Sequence, residues 1–325
     1  MNRAILDVRE AAIAAARGWP GAGRPFSGRG RRQRIASFRS LGVILRWIVL
    51  IEFVFVFFFP VLFMFTTSIQ TLSEINNPSI RWISRDPTAR GYELALLIMG
   101  YFQGLRISIL TSVLAALGQT FVGAMVGYGF ARLRFPGRDL LFGFLLFTIV
   151  VPGHTIMIPQ FMLYHKLNWL NTLIPLFVPA FAGWGVRGGI LLIVFRQFLR
   201  GLPHELEDAA CVDGAGPFRT FWQIMLPLAK PALMVVLVFS LTWTWNDSFV
   251  PWLVIQDQEL MTLPQRLEIF TWLIRSGLGT VGLPTHFEPN VFMAATVLAI
   301  TPVLVLYIFA QRHFTQSIDR TGLVE

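Results

Sequence analysis

Apolar residues in this 325-residue chain come in long unbroken runs rather than on one face of short helices or at alternating positions. A helix needs about 20 apolar residues to cross a hydrocarbon core. Six stretches reach that length: 47–68, 105–131, 139–163, 172–198, 231–254 and 291–311. Nowhere does apolar–polar alternation persist as it does in a membrane β-barrel. The pattern predicts an all-α integral membrane protein of six transmembrane helices, which places both termini on one side.

Composition agrees, since 54% of residues are hydrophobic and 14% charged, more apolar surface than a soluble core covers. The net charge of +9 would suit nucleic acid, but 10 of the 27 basic residues fall within the first 46 positions and the rest flank apolar runs. Short loops rich in Arg and Lys stay in the cytoplasm. That rule puts the N-terminus, the loop 132–138, the segment 199–230 and the tail from Gln311 inside. Both termini are then cytoplasmic, and 69–104, 164–171 and 255–290 lie outside. The outer segments Thr71–Tyr92 and Gln256–Asn290, punctuated by Pro, are expected to be ordered loops with little helix. Residues 1–40, rich in Gly, Pro, Ser and Arg after a short amphipathic stretch, read as a flexible basic cytoplasmic extension before a transmembrane domain over 41–325. Met1–Arg17 has no apolar centre and is not a cleavable signal. Cys211 is the single cysteine, so no internal disulfide forms.

The segment between the fourth and fifth runs starts too polar for lipid. Pro203 suits a first helical turn, and Glu205, Glu207 and Asp208 place negative charge at the positive end of the helix dipole. Ala209 and Ala210 allow close approach by another surface. Gly214 ends this helix in a left-handed conformation, and Pro217 starts another in which Phe218, Phe221, Trp222 and Met225 recur at helical spacing.

Asp208-Ala209-Ala210, Asp213-Gly214-Ala215, Phe218, Phe221, Ile224 and Leu226-Pro227 together resemble the EAA loop of ATP-binding-cassette (ABC) importer permeases, with Asp208 where that pattern has Glu. Further agreement narrows the resemblance to carbohydrate-uptake permeases of the maltose type, second subunit. It is carried by Tyr128–Arg138, Val151-Pro152 to Ile158-Pro159, Leu170-Asn171-Thr172, Phe195–Phe198, Trp245-Asn246-Asp247 and Gln311-Arg312. The resemblance implies a non-catalytic subunit of the bacterial cytoplasmic (inner) membrane that forms the path for a sugar or sugar derivative. It implies as partners a second homologous permease, a dimeric ATPase that binds ATP and Mg, and an extracytoplasmic solute-binding protein. No nucleic acid and no cofactor in this chain are expected. The ATPase would grip Glu205, Glu207, Asp208, Ala209, Ala210, Asp213, Gly214 and Ala215; which of Glu207 and Asp208 makes the main contact stays open.

Other motifs are weaker. Gly183, Gly185 and Gly188 form GxGxxG, but inside the fourth apolar run and with no strand before it, so they read as helix packing. Lys166 and Lys230, the only lysines, lack the neighbours of a phosphate-binding loop, so any ATP is hydrolysed by a partner. Charged groups at membrane depth are expensive and suggest function or internal pairing. Arg187 either pairs with an acid such as Glu52 or faces the path and meets an anionic sugar, while Arg46, Arg106 and Arg196 lie near span ends. Trp243, Trp245, Asn246 and Asp247 are candidates for sugar contact or, for the tryptophans, an interfacial belt. His154 and Gln160 are weaker candidates. An ion- or proton-coupled secondary transporter is the alternative reading, and a membrane enzyme a third.

Overall fold

The computed structural model describes residues 29–77, 79, 82–276 and 288–321, and every secondary-structure element among them is helical. In chain order the helices are α1 (Arg29–Ser68), α2 (Leu72–Ile75), α3 (Arg90–Ile98), α4 (Tyr101–Arg132), α5 (Arg138–Val150), α6 (Met157–Lys166), α7 (Ile174–Phe181), α8 (Gly188–Arg200), α9 (Glu205–Val212), α10 (Pro217–Leu228), α11 (Lys230–Trp245), α12 (Phe249–Val254), α13 (Leu263–Ser276) and α14 (Pro289–Thr321). Three stretches are long and apolar enough to cross a bilayer: Val43–Ser68, Tyr101–Arg132 and Pro289–Phe309. Two bent pairs reach the same standard jointly, making up to five crossings among the described residues.

The chain divides into two units, 1–61 and 62–325. In the first, α1 begins at Arg29, inside the stretch read as flexible; residues 1–28 of that extension lie outside the described residues. Arg31, Arg32, Gln33 and Arg34 are good helix formers and carry the helix past the apolar boundary without a break. Every residue from Val43 to Pro60 is exposed, apolar side chains included, a surface that lipid accommodates.

In the second unit α4 is the central element, packed against α7, α8 and α11. Its small residues permit this. Built Cβ atoms on Gly118, Gly123 and Gly127 would stand 2.8 Å from Phe181, 3.1 Å from Phe195 and 2.6 Å from Phe195 respectively. One apolar cluster joins Ala124 and Tyr128 of α4 to Leu191, Phe195 and Leu199 of α8, Phe221 and Met225 of α10 and Val236 of α11. A second gathers Ala95, Met99, Tyr101, Trp245, Leu263, Phe270 and the alanines of α14, and a third surrounds Tyr164, Val254 and Ile255.

Three predicted spans are not continuous. The run 139–163 bends by 98° between α5 and the turn entering α6. The bend falls at Val151-Pro152, where Pro forces its predecessor out of the helical region: Val151 sits at φ −70°, ψ 120°. The run 172–198 breaks into α7 and α8. Gly183 and Arg187 both take left-handed backbone in that break, at φ 77° and 54°, so the GxGxxG glycines interrupt a helix rather than line a helical packing face. The run 231–254 stops at Trp245 and resumes as α12.

Gln256–Asn290 holds more helix than expected, the 14-residue α13, whereas Thr71–Tyr92 holds only the short α2 and the start of α3 among its described residues. Pro264 is no obstacle to α13 because it occupies the first turn, where a backbone N–H has no intrahelical acceptor. Arg266 of α13 donates to the carbonyls of Met261 (3.1 Å), Met99 (3.0 Å) and Gln258 (2.5 Å), tying α13 to the end of α3. Burial pushes its guanidinium pKa down. Glu74 of α2 is also buried and organises the loop that leads from α2 to α3. It accepts from the Ser84 hydroxyl at 2.6 Å, the Arg85 and Asp86 N–H groups at 2.7 and 3.1 Å and the Thr71 N–H at 3.3 Å. These donors, the Ser84 hydroxyl foremost, overcome desolvation and hold its carboxyl at about 2.

Candidate functional site

Between α8 and α11 the chain forms a helix, a turn and a second helix. In α9 the residues Glu205, Glu207 and Asp208 occupy the first turn. Gly214 lies at φ 75°, a left-handed position that L side chains rarely adopt, and Ala215 N–H bonds back to Ala210 C=O at 2.8 Å. Pro217 then starts α10 at its first position. Near the end of α10, Phe221–Met225 form a π-turn in which the Leu226 N–H reaches Phe221 C=O. Pro227 follows directly, and its missing N–H weakens the ordinary helical ladder at this point.

The neighbouring carboxylates face different surroundings. Glu207 lies 3.6 Å from the guanidinium of Arg132, the last residue of α4, whose side chain is only 1% exposed. Arg132 also donates to the carbonyls of Leu199 (2.9 Å) and Leu202 and to His204 Nδ1 (2.9 Å). One side chain thus joins the end of α4, the end of α8 and the first turn of α9. Asp208, Ala209, Cys211, Val212, Asp213 and Gly214 are exposed; Ala210 is buried and Ala215 half-buried. On α10 Phe218 and Trp222 are exposed, while Phe221 and Met225 are buried in the cluster shared with α4 and α8. The result is a small-residue, acidic and apolar surface backed by a rigid base.

The second group of sequence-predicted residues is only partly brought together. Arg187 is exposed at the break between α7 and α8, its guanidinium 5.0 Å from the centre of the Trp243 ring. Trp245 turns instead into the core with Met99 and Leu263. Asn246 is exposed and donates to Thr242 C=O at 2.8 Å, and Asp247 accepts the Phe249 N–H at 3.2 Å. His154 stands against the Phe249 ring, and Gln160 donates to the Tyr164 hydroxyl at 2.9 Å. Arg196 lies over the Phe142 ring at 3.8 Å rather than reaching outward.

Residues not singled out in the sequence hold this region in place. Gln119 of α4 accepts from the Ser240 hydroxyl of α11 and donates to Val186 C=O in the break at 3.3 Å. A Cβ on Gly185 would stand 1.8 Å from Gln119 Nε2. Gln119 was one polar residue in an apolar run, whereas Arg132 counted only as a cytoplasmic charge; polarity at depth was the available signal for the first.

Comparison with known proteins places this architecture. The chain is 30% identical over 292 residues, 88% of its length and 99% of the relative's, to the arabinooligosaccharides transport system permease protein AraQ of Halalkalibacterium halodurans. It is 32% identical over 202 residues, 62% of this chain and 67% of the relative, to the sn-glycerol-3-phosphate transport system permease protein UgpE of Yersinia pestis. Its fold matches a chain of a bacterial ABC transporter involved in the import of the acidic polysaccharide alginate, with a TM-score of 0.70, 20% identity and coverage of 90% of this chain and 100% of the other. Residues 119–320, which contain the α9–α10 segment, the α7–α8 break and the C-terminal helix, match the model of one family. With more than half its length matched in this way, the chain belongs to the binding-protein-dependent transport system inner membrane components and is a multi-pass, non-catalytic permease subunit of an ABC transporter.

Proposed function

We propose that this subunit forms half of the translocation path of an ATP-driven importer for a sugar or sugar derivative in the bacterial cytoplasmic membrane. It pairs there with a homologous permease and works with an ATPase dimer that binds ATP and Mg and with an extracytoplasmic binding protein. The cargo class is supported by the relatives, whose names specify arabinooligosaccharides and sn-glycerol-3-phosphate. Six crossings result if α5 with α6, α7 with α8 and α11 with α12 each form one, and the Arg and Lys bias then puts both termini in the cytoplasm.

The observation that carries the coupling role is the clamp of Arg132 on Glu207 beneath the exposed Asp208 surface. The ATPase docks on that surface, Asp208 supplies its charge-assisted hydrogen bond and Ala209 the close approach. Displacement of α9 passes through Arg132 into α4. Gln119 lies 13 residues, about 20 Å, further along that helix and touches both the break and α11, so the same rigid element connects the docking surface to the path. Arg187, Trp243, Asn246 and Asp247 line the path in this reading, and Trp245 supports them from the core.

The test is to purify the chain with its associated proteins and replace Ala210 or Gly214 by Leu. An ATPase is expected to copurify with the unaltered chain, and the variants to hydrolyse ATP with uptake reduced or lost. An unaltered chain that transports with no ATPase attached would defeat the proposal.

A further inference from the structure

The α7–α8 break places an arginine where a membrane protein would ordinarily exclude one. Gln119, which hydrogen-bonds Val186 next to Arg187, is 18 residues from one end of α4 and 13 from the other, roughly 27 and 20 Å along the helix. The break therefore lies near the middle of a crossing. Arg187 has φ 54°, a left-handed conformation that L side chains rarely adopt. Such strain persists where the surroundings impose it, and here Gly185 is locked against Gln119.

Among the described residues from Leu62 onward, Arg187 forms neither an ion pair nor a side-chain hydrogen bond; its guanidinium meets only the Trp243 ring. Asp247, four residues beyond Trp243, is turned onto its own backbone through the Phe249 N–H. Trp243 in turn packs against Phe239, with ring centres 5.3 Å apart. A guanidinium held beside an aromatic pair at mid-membrane offers a sugar ring an apolar platform and offers an acidic substituent a bidentate donor.

Resting on the sugar-importer reading, we propose that Arg187 is an anion-binding residue of the translocation path and that the cargo is an acidic saccharide, bearing a carboxylate or a phosphate. Arg187 receives that group as it passes the centre of the membrane.

The complete importer in proteoliposomes tests this with three probes: a trigalacturonate, the matching neutral trigalactoside and a hexose 6-phosphate. Unaltered importer is expected to take up one of the acidic probes. Arg187→Gln is expected to lower that uptake about 10- to 100-fold, and Arg187→Lys to retain part of it, with subunit assembly unchanged in both. Which acidic probe is lost identifies the acid. Uptake of the neutral probe alone, or acidic uptake untouched by Arg187→Gln, overturns the proposal and leaves the sugar reading standing. So does an Arg187→Gln defect rescued by Glu52→Gln, which would make the arginine an ion-pair partner. Uptake of none of the three defeats the sugar reading and this proposal together.

Discussion

Consecutive residues on a helix point about 100° apart, so Glu207 and Asp208 cannot share one environment. Glu207 meets Arg132 and Asp208 meets solvent, which gives the two acids different expected phenotypes. Arg132→Ala would leave the Leu199 and Leu202 carbonyls without their donor and Glu207 without its ion-pair partner and is expected to cost about 2–4 kcal/mol, read as a lowered Tm of the purified importer. Arg132→Lys would not restore it, because an ammonium cannot span the same acceptors. Asp208→Ala is expected to change stability by less than about 0.5 kcal/mol while weakening ATPase retention on purification. At the break, Gly185→Ala is expected to destabilise by about 1–3 kcal/mol, since its Cβ would collide with Gln119. Adding Gln119→Ala should recover part of that loss in a double-mutant cycle. The acids, alanines and Gly214 were legible in sequence because local spacing fixes their helix and turn. The partner of Glu207 was not, because Arg132 comes from an element 75 positions earlier and its charge alone says nothing of direction.

At the level of elements, hydropathy located the apolar runs but not their continuity. A bend leaves the mean hydropathy of a window unchanged, so 139–163 and 172–198 read as single helices although Val151-Pro152 and the Gly183–Gly188 glycines mark the interruptions. The helix α13 was missed for the opposite reason: it mixes Pro264, Gln265, Arg266 and Glu268 with apolar residues, and its structure depends on contacts with α3 and α4. Glu74 makes the loop between α2 and α3 sensitive to acid. Its folded pKa of about 2 is below the ordinary 4.5, so its stabilising contribution is complete above pH 4.5 and is lost as pH falls toward 2. The protection factors of the Arg85 and Asp86 amides, taken against intrinsic exchange at each pH, should fall across that window, and Glu74→Gln should abolish that fall. Protection factors that stay flat in the unaltered protein would contradict this account.

For the whole molecule, the bent and interrupted crossings bear on biogenesis. Irregular backbone survives at membrane depth only against other protein or a water-filled cavity, because hydrocarbon offers it no hydrogen bonds. The turns at Val151-Pro152 and 182–187 therefore commit this chain to an environment that lipid cannot supply. Made without the companion permease proposed above, it should be an orphan for membrane quality-control proteases. Pulse-chase labelling is expected to show faster turnover of the chain expressed alone than of the chain co-expressed with that companion, and equal lifetimes would show that the breaks are sheltered within the single chain. Supply of the two permeases would then have to be matched, since any excess of this one is discarded.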